Sequence, residues 1–188
     1  MIIQGSETGS PQRLMITGIP GTGKTCIGNF LEAHYGFTHY DIEKRETCAQ
    51  FRADRAAFVE RALSLGPSVV VTWGFPPYDC DAVHTIQKMK ARGFKLFWFE
   101  GDHACAREAW LCRVRKEIAE EFSDPVMRER RLKSKESDLD RQMGAIQSSK
   151  IAKVIGATVI DPFRKDGAFR ERSDIVREMV EASDQPAR

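Results

Sequence analysis

No run of eighteen apolar residues occurs anywhere in this 188-residue sequence, and its opening MIIQGSETGSPQR lacks the apolar core of a secretory signal. These absences argue against a membrane-spanning helix and lead us to expect a cytoplasmic protein. Cysteine is sparse and unpatterned. Cys26, Cys48, Cys80, Cys105 and Cys112 form no CxxC pair and leave an odd one over, which argues against a disulfide framework and against a zinc site. His34, His39, His84 and His103 are scattered without ligand spacing. The formal net charge is only +2 and no long basic block is present, so bulk electrostatics gives general nucleic-acid binding no support. Internal repeats and low-complexity segments are also missing.

What is present suits one domain spanning residues 1–188: 41% of the residues are hydrophobic and 30% charged, enough for a substantial core. From Leu14 onward, short apolar runs alternate with longer stretches of helical period, the pattern of a parallel sheet wrapped by helices. Strands are expected at 14–17, 37–40, 68–73, 94–99 and 157–160. VVVT and KLFWF barely alternate, as in central strands covered on both faces. Helices are expected over 24–34, about 48–65, 79–92, 103 to about 121, 137 to about 155, and 173–181. Glycines at 36, 66, 93 and 156 stand where helices should stop. Residues 1–12 and 183–188 are polar, and we expect them to fray. Between two helical patterns lies the charge-dense EEFSDPVMRERRLKSKES, interrupted by Pro125.

The most informative stretch is GIPGTGKT, Gly18 to Thr25, which satisfies G-x-x-x-x-G-K-[ST], the Walker A pattern, between an apolar strand and an amphipathic helix. Its glycines, Gly18, Gly21 and Gly23, let the loop turn its backbone N–H groups inward around an anion; Pro20 and Thr22 belong to the same loop, and the start of the next helix, with Cys26 in its first turn, adds its positive dipole end. Lys24 reaches the β and γ phosphates of a nucleotide, and Thr25 offers a hydroxyl to Mg²⁺. ATP and Mg²⁺ are therefore the expected substrate and cofactor.

At this point the sequence resembles the P-loop kinases that include shikimate kinase, gluconate kinase and the adenylate kinases. The resemblance runs from Leu14 to about Val180. It implies a P-loop NTPase fold, a three-layer α/β/α sandwich on a five-stranded parallel sheet of order 2-3-1-4-5, with a helical lid. HYDIEKRE carries Asp41 and Glu43, similar to the D-x-D of shikimate kinase; Asp41 would then act near the metal and the acceptor hydroxyl, and Glu43 would touch the acceptor. A helix cap followed by a first-turn acid is the alternative for this pair. Arg52 in FRADR resembles the F-R pair that grips a substrate carboxylate, but Arg55 stands where that family has an acid.

VVVTWGFPPYD resembles elements of both shikimate and adenylate kinases, with departures. Trp73 replaces a metal-handling acid and Pro77 a phosphate-binding arginine. Trp73, Gly74 and Phe75, with Tyr78 beyond, form either an acceptor-stacking surface or a packed corner. FEGDHACAREAWLCRVR resembles gluconate kinase in its GD turn and in Arg113, which would reach toward the nucleotide, with Arg107 a weaker match. Residues 122–135 are the natural lid, and Arg128, Arg130 and Arg131 are its cations; of these, Arg128 and Arg131 are expected at the transferring phosphoryl. Asp161, Pro162 and Phe163 follow the last strand, where kinases of this type edge the adenine, with Pro162 suited to the base or to a simple turn.

The expectation that follows is a monomeric or homodimeric ATP-dependent phosphotransferase acting on a small-molecule hydroxyl or phosphate acceptor. Two alternatives remain open. One is a nucleotide or polynucleotide 5'-hydroxyl kinase; the other is a nucleotide-binding switch that hydrolyses slowly and answers to a protein partner.

Overall fold

The computed structural model describes residues 12–79 and 81–184. Cys80, residues 1–11 and residues 185–188, where fraying is expected, lie outside them. Five strands, β1 (Arg13–Gly18), β2 (Thr38–Asp41), β3 (Val69–Thr72), β4 (Lys95–Phe99) and β5 (Thr158–Ile160), form one parallel sheet of order β2-β3-β1-β4-β5. All five fall where apolar runs predicted them. β3 is buried at every residue, as its unbroken VVVT requires.

Eight helices are assigned among the described residues: α1 (Lys24–Tyr35), α2 (Arg45–Ala53), α3 (Arg55–Ser64), α4 (Ala82–Ala91), α5 (His103–Glu121), α6 (Pro125–Ser149), α7 (Ile151–Ile155) and α8 (Arg172–Asp184). Alternate residues of β1 feed two cores. Leu14 and Ile16 join Ile27 and Leu31 of α1 and Ile175, Val176 and Met179 of α8 on one face. Met15 points the other way, into a larger cluster that includes Phe58 of α3, Ile86 of α4, Leu111 of α5 and Leu139 of α6. Each such side chain contributes about 1.5–3 kcal/mol when fully buried, so the sheet and its two helical layers hold each other in place.

Four helix boundaries differ from expectation, the fourth being the break at Lys150 inside the helix expected over 137 to about 155. The stretch read as one helix over about 48–65 is two, because Asp54 leaves the helical region (φ −153°, ψ 93°) and its carboxylate caps Ala57 N at 2.9 Å. Pro125 does not interrupt a loop but begins α6, at a position where its missing N–H costs nothing; Asp124 caps it by accepting from Val126 N at 2.9 Å. α6 therefore starts twelve residues before the expected Ser137, and most of the stretch read as a lid is its first three turns. The third is α8, which reaches Asp184, past the point where fraying was expected. Lys150, left-handed at φ 49° and ψ 36°, separates α6 from α7.

Candidate functional site

β1 delivers the chain into a tight turn at the carboxyl edge of the sheet, where ligands of open α/β sheets bind. Gly21 (φ 83°) and Gly23 (φ 78°) take left-handed conformations that residues with side chains avoid, and a Cβ on Gly21 would stand 1.9 Å from the carbonyl oxygen of Ala106. Thr22 is turned inward, its hydroxyl donating to Ile19 O at 2.8 Å. α1 opens without a side-chain cap, which leaves its first-turn N–H groups facing the turn.

Lys24 is the unusual residue. It is 6% exposed, and its ammonium donates to the carbonyl oxygens of Ile19 at 2.7 Å and Gly18 at 3.3 Å. Burial drives its pKa from 10.5 down to about 8; Glu43 pulls it upward, Arg113 pushes it down, and Asp41 pulls it upward. This cation is poised to gain from an anion in the turn.

Asp41 ends β2 in register with Thr72 of β3 and is 5% exposed. Its Oδ2 accepts from the Thr25 hydroxyl at 3.1 Å and its Oδ1 from the backbone N–H of Glu43 at 3.0 Å. Thus a carboxylate and a hydroxyl meet at the first turn of α1, an oxygen pair suited to a hard cation that keeps most of its waters. No group of three or more His, Cys, Asp or Glu side chains that could cage a metal occurs among the described residues. Behind the pair lies His39, bridging Asn29 Oδ1 (2.8 Å from Nδ1) and Thr72 Oγ1 (2.8 Å from Nε2), its pKa lowered by burial. The imidazole lies so close to Gly28 of α1 that a Cβ there would fall 2.3 Å from its Nε2.

A cavity of about 520 Å³ opens over this corner. Pro20, Gly21, Gly23, Lys24, Thr25 and Cys26 of the glycine turn line it, and so do Glu43, Gly74, Phe75, Tyr78 and Arg113. Sequence reasoning missed Trp110, Gln142 and Phe169, which also line it. Trp110 sits on the helix quoted for its arginines. Phe169 is reached through a short hairpin in which Phe163 bridges Phe169, and its ring overlies Gly23. Gln142 lies on a largely polar helix that offers no signal at all.

Several expected site residues do not line the cavity; Gly18 and Thr22 of the turn are among them, and Asp41 touches it only through its bond to Thr25. Trp73 is a core residue, edge-on to Phe51 with ring centroids 5.1 Å apart, so the packed corner is the correct reading for it. Phe75 packs edge-on against Trp98 at 5.6 Å yet still presents a face to the cavity. Arg52 is exposed on α2, away from the wall. Arg107 is tied to Asp140 of α6 at 2.8 Å. Arg128 donates to the carbonyl oxygens of Phe122 and Ala119, closing the end of α5, and Arg131 is exposed on α6. Pro162 is buried beside β5, its carbonyl accepting from Arg170 N at 2.9 Å, and it forms no part of the wall. For Arg107 and Arg128 the physical reason is local: a long cation on a charged helix finds a nearby carboxylate or helix-end carbonyl before it finds a distant ligand.

No protein-family model matches the chain, and no curated protein matches it. Solved structures do. A shikimate kinase from Bacteroides thetaiotaomicron superposes with a TM-score of 0.52 at 18% identity, covering 93% of this chain and 99% of the other. A gluconokinase from Sinorhizobium meliloti gives 0.50 at 14%, covering 95% and 100%. A shikimate kinase from Aquifex aeolicus gives 0.50 at 17%, covering 92% and 96%. At these identities the likeness concerns the fold: this chain has the architecture of the P-loop small-molecule kinases. Among its described residues, no helix is long and apolar enough to cross a membrane.

Proposed function

We propose that this protein is an ATP-dependent phosphotransferase that moves the γ-phosphoryl group to a hydroxyl of a small molecule. The observation that carries the reading is that one cavity of about 520 Å³ brings a glycine turn and its buried lysine together with Glu43, Phe75 and Trp110. In this reading a triphosphate and an acceptor share that cavity.

In this reading the turn N–H groups and the start of α1 bind the β and γ phosphates. Lys24 exchanges its two carbonyl acceptors for phosphate oxygens, and the ammonium, buried and already short of strong partners, neutralises charge that develops during transfer. Arg113 supplies a second cation from α5. Thr25 and Asp41 are the residues that would hold Mg²⁺, which when bound offsets phosphate charge and aligns the terminal phosphate.

The acceptor hydroxyl oxygen forms a bond to the γ phosphorus while the bond from that phosphorus to the β–γ bridging oxygen breaks, releasing ADP. Asp41 Oδ2, now bonded to Thr25, orients the hydroxyl and takes its proton. Phe75 and Trp110 exclude water that would otherwise compete as acceptor.

The test is ADP release with and without small-molecule acceptors, combined with nucleotide binding by calorimetry. Binding of ATP that Lys24→Ala weakens, together with ADP release stimulated by a small molecule, is expected. ATP binding with slow hydrolysis that only a protein partner alters would replace this reading with a switch. Stimulation by oligonucleotides alone would make the acceptor a nucleic-acid end.

A further inference from the structure

The cavity wall is short of cations. Lys24 and Arg113 are the only ones in it among the described residues, and Arg113 is close enough to act on Lys24. Glu43 is the wall's carboxylate, also close enough to act on Lys24, and beside it stand the Gly74–Tyr78 segment, Trp110 and Gln142. The other nearby arginines are paired elsewhere or lie outside the wall. Arg55 pairs with Asp79 at 2.6 Å and lies over the Phe51 ring, and Arg141 pairs with Asp138 at 2.7 Å and lies over the Tyr78 ring. Arg107 is held by Asp140, and Arg52 is outside the wall.

By contrast, Glu43 is available. Its carboxylate makes no hydrogen bond or ion pair among the described residues, and it lies across Gly74, where a Cβ would stand 2.4 Å from Oε1. Any larger residue at 74 would displace it. The side-chain amide of Gln142 is likewise without a partner among the described residues. These two polar groups open onto the apolar faces of Phe75, Pro76 and Trp110.

We infer that the acceptor is a hydroxylated molecule without negative charge, a sugar, amino sugar or nucleoside rather than an acid, gripped through its hydrogen-bond donors by Glu43 and laid against the Phe75–Trp110 wall. This rests on the phosphotransferase reading above. The physics is direct. A carboxylate accepts from hydroxyl or ammonium groups and repels another carboxylate. Lys24, Arg113 and Glu43 are the charged residues of the wall among those described, so once a triphosphate with one divalent cation enters and takes up both cations, the cavity is net negative, and an anionic acceptor meets like charge with no cation left to receive it. A flat apolar face of a sugar ring or base is what the aromatic wall can cover.

The experiment uses the full chain, ATP, Mg²⁺ and matched pairs of acceptors: glucose against gluconate, glucosamine against glucuronate, adenosine against AMP, cytidine against CMP. The expected result is ADP release stimulated by an uncharged or cationic member and at least tenfold less by its anionic partner. In Glu43→Gln the KM for that acceptor rises about tenfold while its melting temperature stays near that of the parent protein. In Glu43→Arg the preference within the pair shifts toward the anion. Stronger stimulation by the anionic member overturns the inference and leaves the kinase reading intact. The inference is also overturned if no pair stimulates although ATP binds, or if Glu43→Gln leaves the KM unchanged. Failure of ATP to bind the parent protein would instead remove the kinase reading itself.

Discussion

The corner around Lys24 and the first half of α6 are both rich in charge, and they use it in opposite ways. Around the corner, Lys24 and Asp41 are nearly withdrawn from solvent and their partners are a few fixed atoms: two carbonyls, one hydroxyl and one backbone N–H. Along α6 the charges face water and pair locally, as Lys133 does with Glu129 at 2.8 Å, while Val126 and Met127 are exposed as well. Buried charges have few ways to be satisfied, so a ligand changes their energy strongly; solvated ones already have what they need. Charge density along the chain therefore says little about where chemistry occurs. Burial says much more.

The largest effect that this contrast predicts is at Lys24. Lys24→Ala lowers phosphoryl transfer by about 10³-fold, measured as ADP release at saturating substrate, whereas Arg131→Ala stays within about twofold of the parent if solvated charge contributes nothing to transition-state stabilisation. Equal losses in both would erase the distinction. The buried ammonium also carries a pH signature. With its pKa at about 8 rather than 10.5, Lys24 loses its proton early in the free protein, so ATP affinity falls as the pH rises above about 8, approaching tenfold per pH unit. Stability moves the other way. Between about pH 8 and 10.5 the unfolded chain holds a proton that the folded one has released, so this residue's contribution rises with pH across that window. Lys24→Met removes both trends, as calorimetry and denaturant titrations at several pH values can establish.

Next in size is Asp41→Asn. It retains an oxygen for Thr25 or for Glu43 N but not the charge, and turnover falls about 10²-fold with melting nearly unchanged. Activity near that of the parent would reduce Asp41 to a turn-capping residue.

A third prediction stays within the corner and concerns packing alone. Ala is the better helix former by about 1 kcal/mol, yet in Gly28→Ala the new Cβ meets an imidazole tethered through both nitrogens. That clash costs about 1–3 kcal/mol and outweighs the gain, so thermal melting falls by several degrees. A rise would mean that His39 yields easily. The smallest effect is expected at Arg107→Ala, which cuts the tie from α5 to Asp140. Both partners are substantially exposed, at 38% and 54%, so stability changes by less than about 1 kcal/mol in denaturant titration.

The same contrast explains what was legible in the sequence. The sheet was, because strands covered on both faces must be nearly continuous in apolar residues, and VVVT and the LFWF that follows exposed Lys95 barely alternate. The glycine turn was, because Gly21, Gly23, Lys24 and Thr25 stand in one contiguous segment. The rest of the cavity wall is assembled from Glu43 after β2, Gly74 after β3, Trp110 of α5 and Gln142 of α6, and no local pattern encodes their meeting. The α6 arginines misled for a related reason. Their number was visible, but the carbonyls of Phe122 and Ala119 that claim Arg128 could be recognised only once α5 had ended beside α6. Asp54 and Pro125 are intermediate cases, since each is a known helix-start residue whose role depended on a boundary that hydrophobic periodicity had blurred.

α6 is a brace. The helix extends for 25 residues, a length of about 37 Å at 1.5 Å per residue. It is fastened along that length: Leu139, Met143 and Ile146 are buried in the larger core, Asp140 holds Arg107, and Arg128 is bonded to the carbonyls of Phe122 and Ala119. Gln142 rides on the buried stretch, so core packing sets the position of this wall residue, and the shape of the cavity is tied to the stability of the domain.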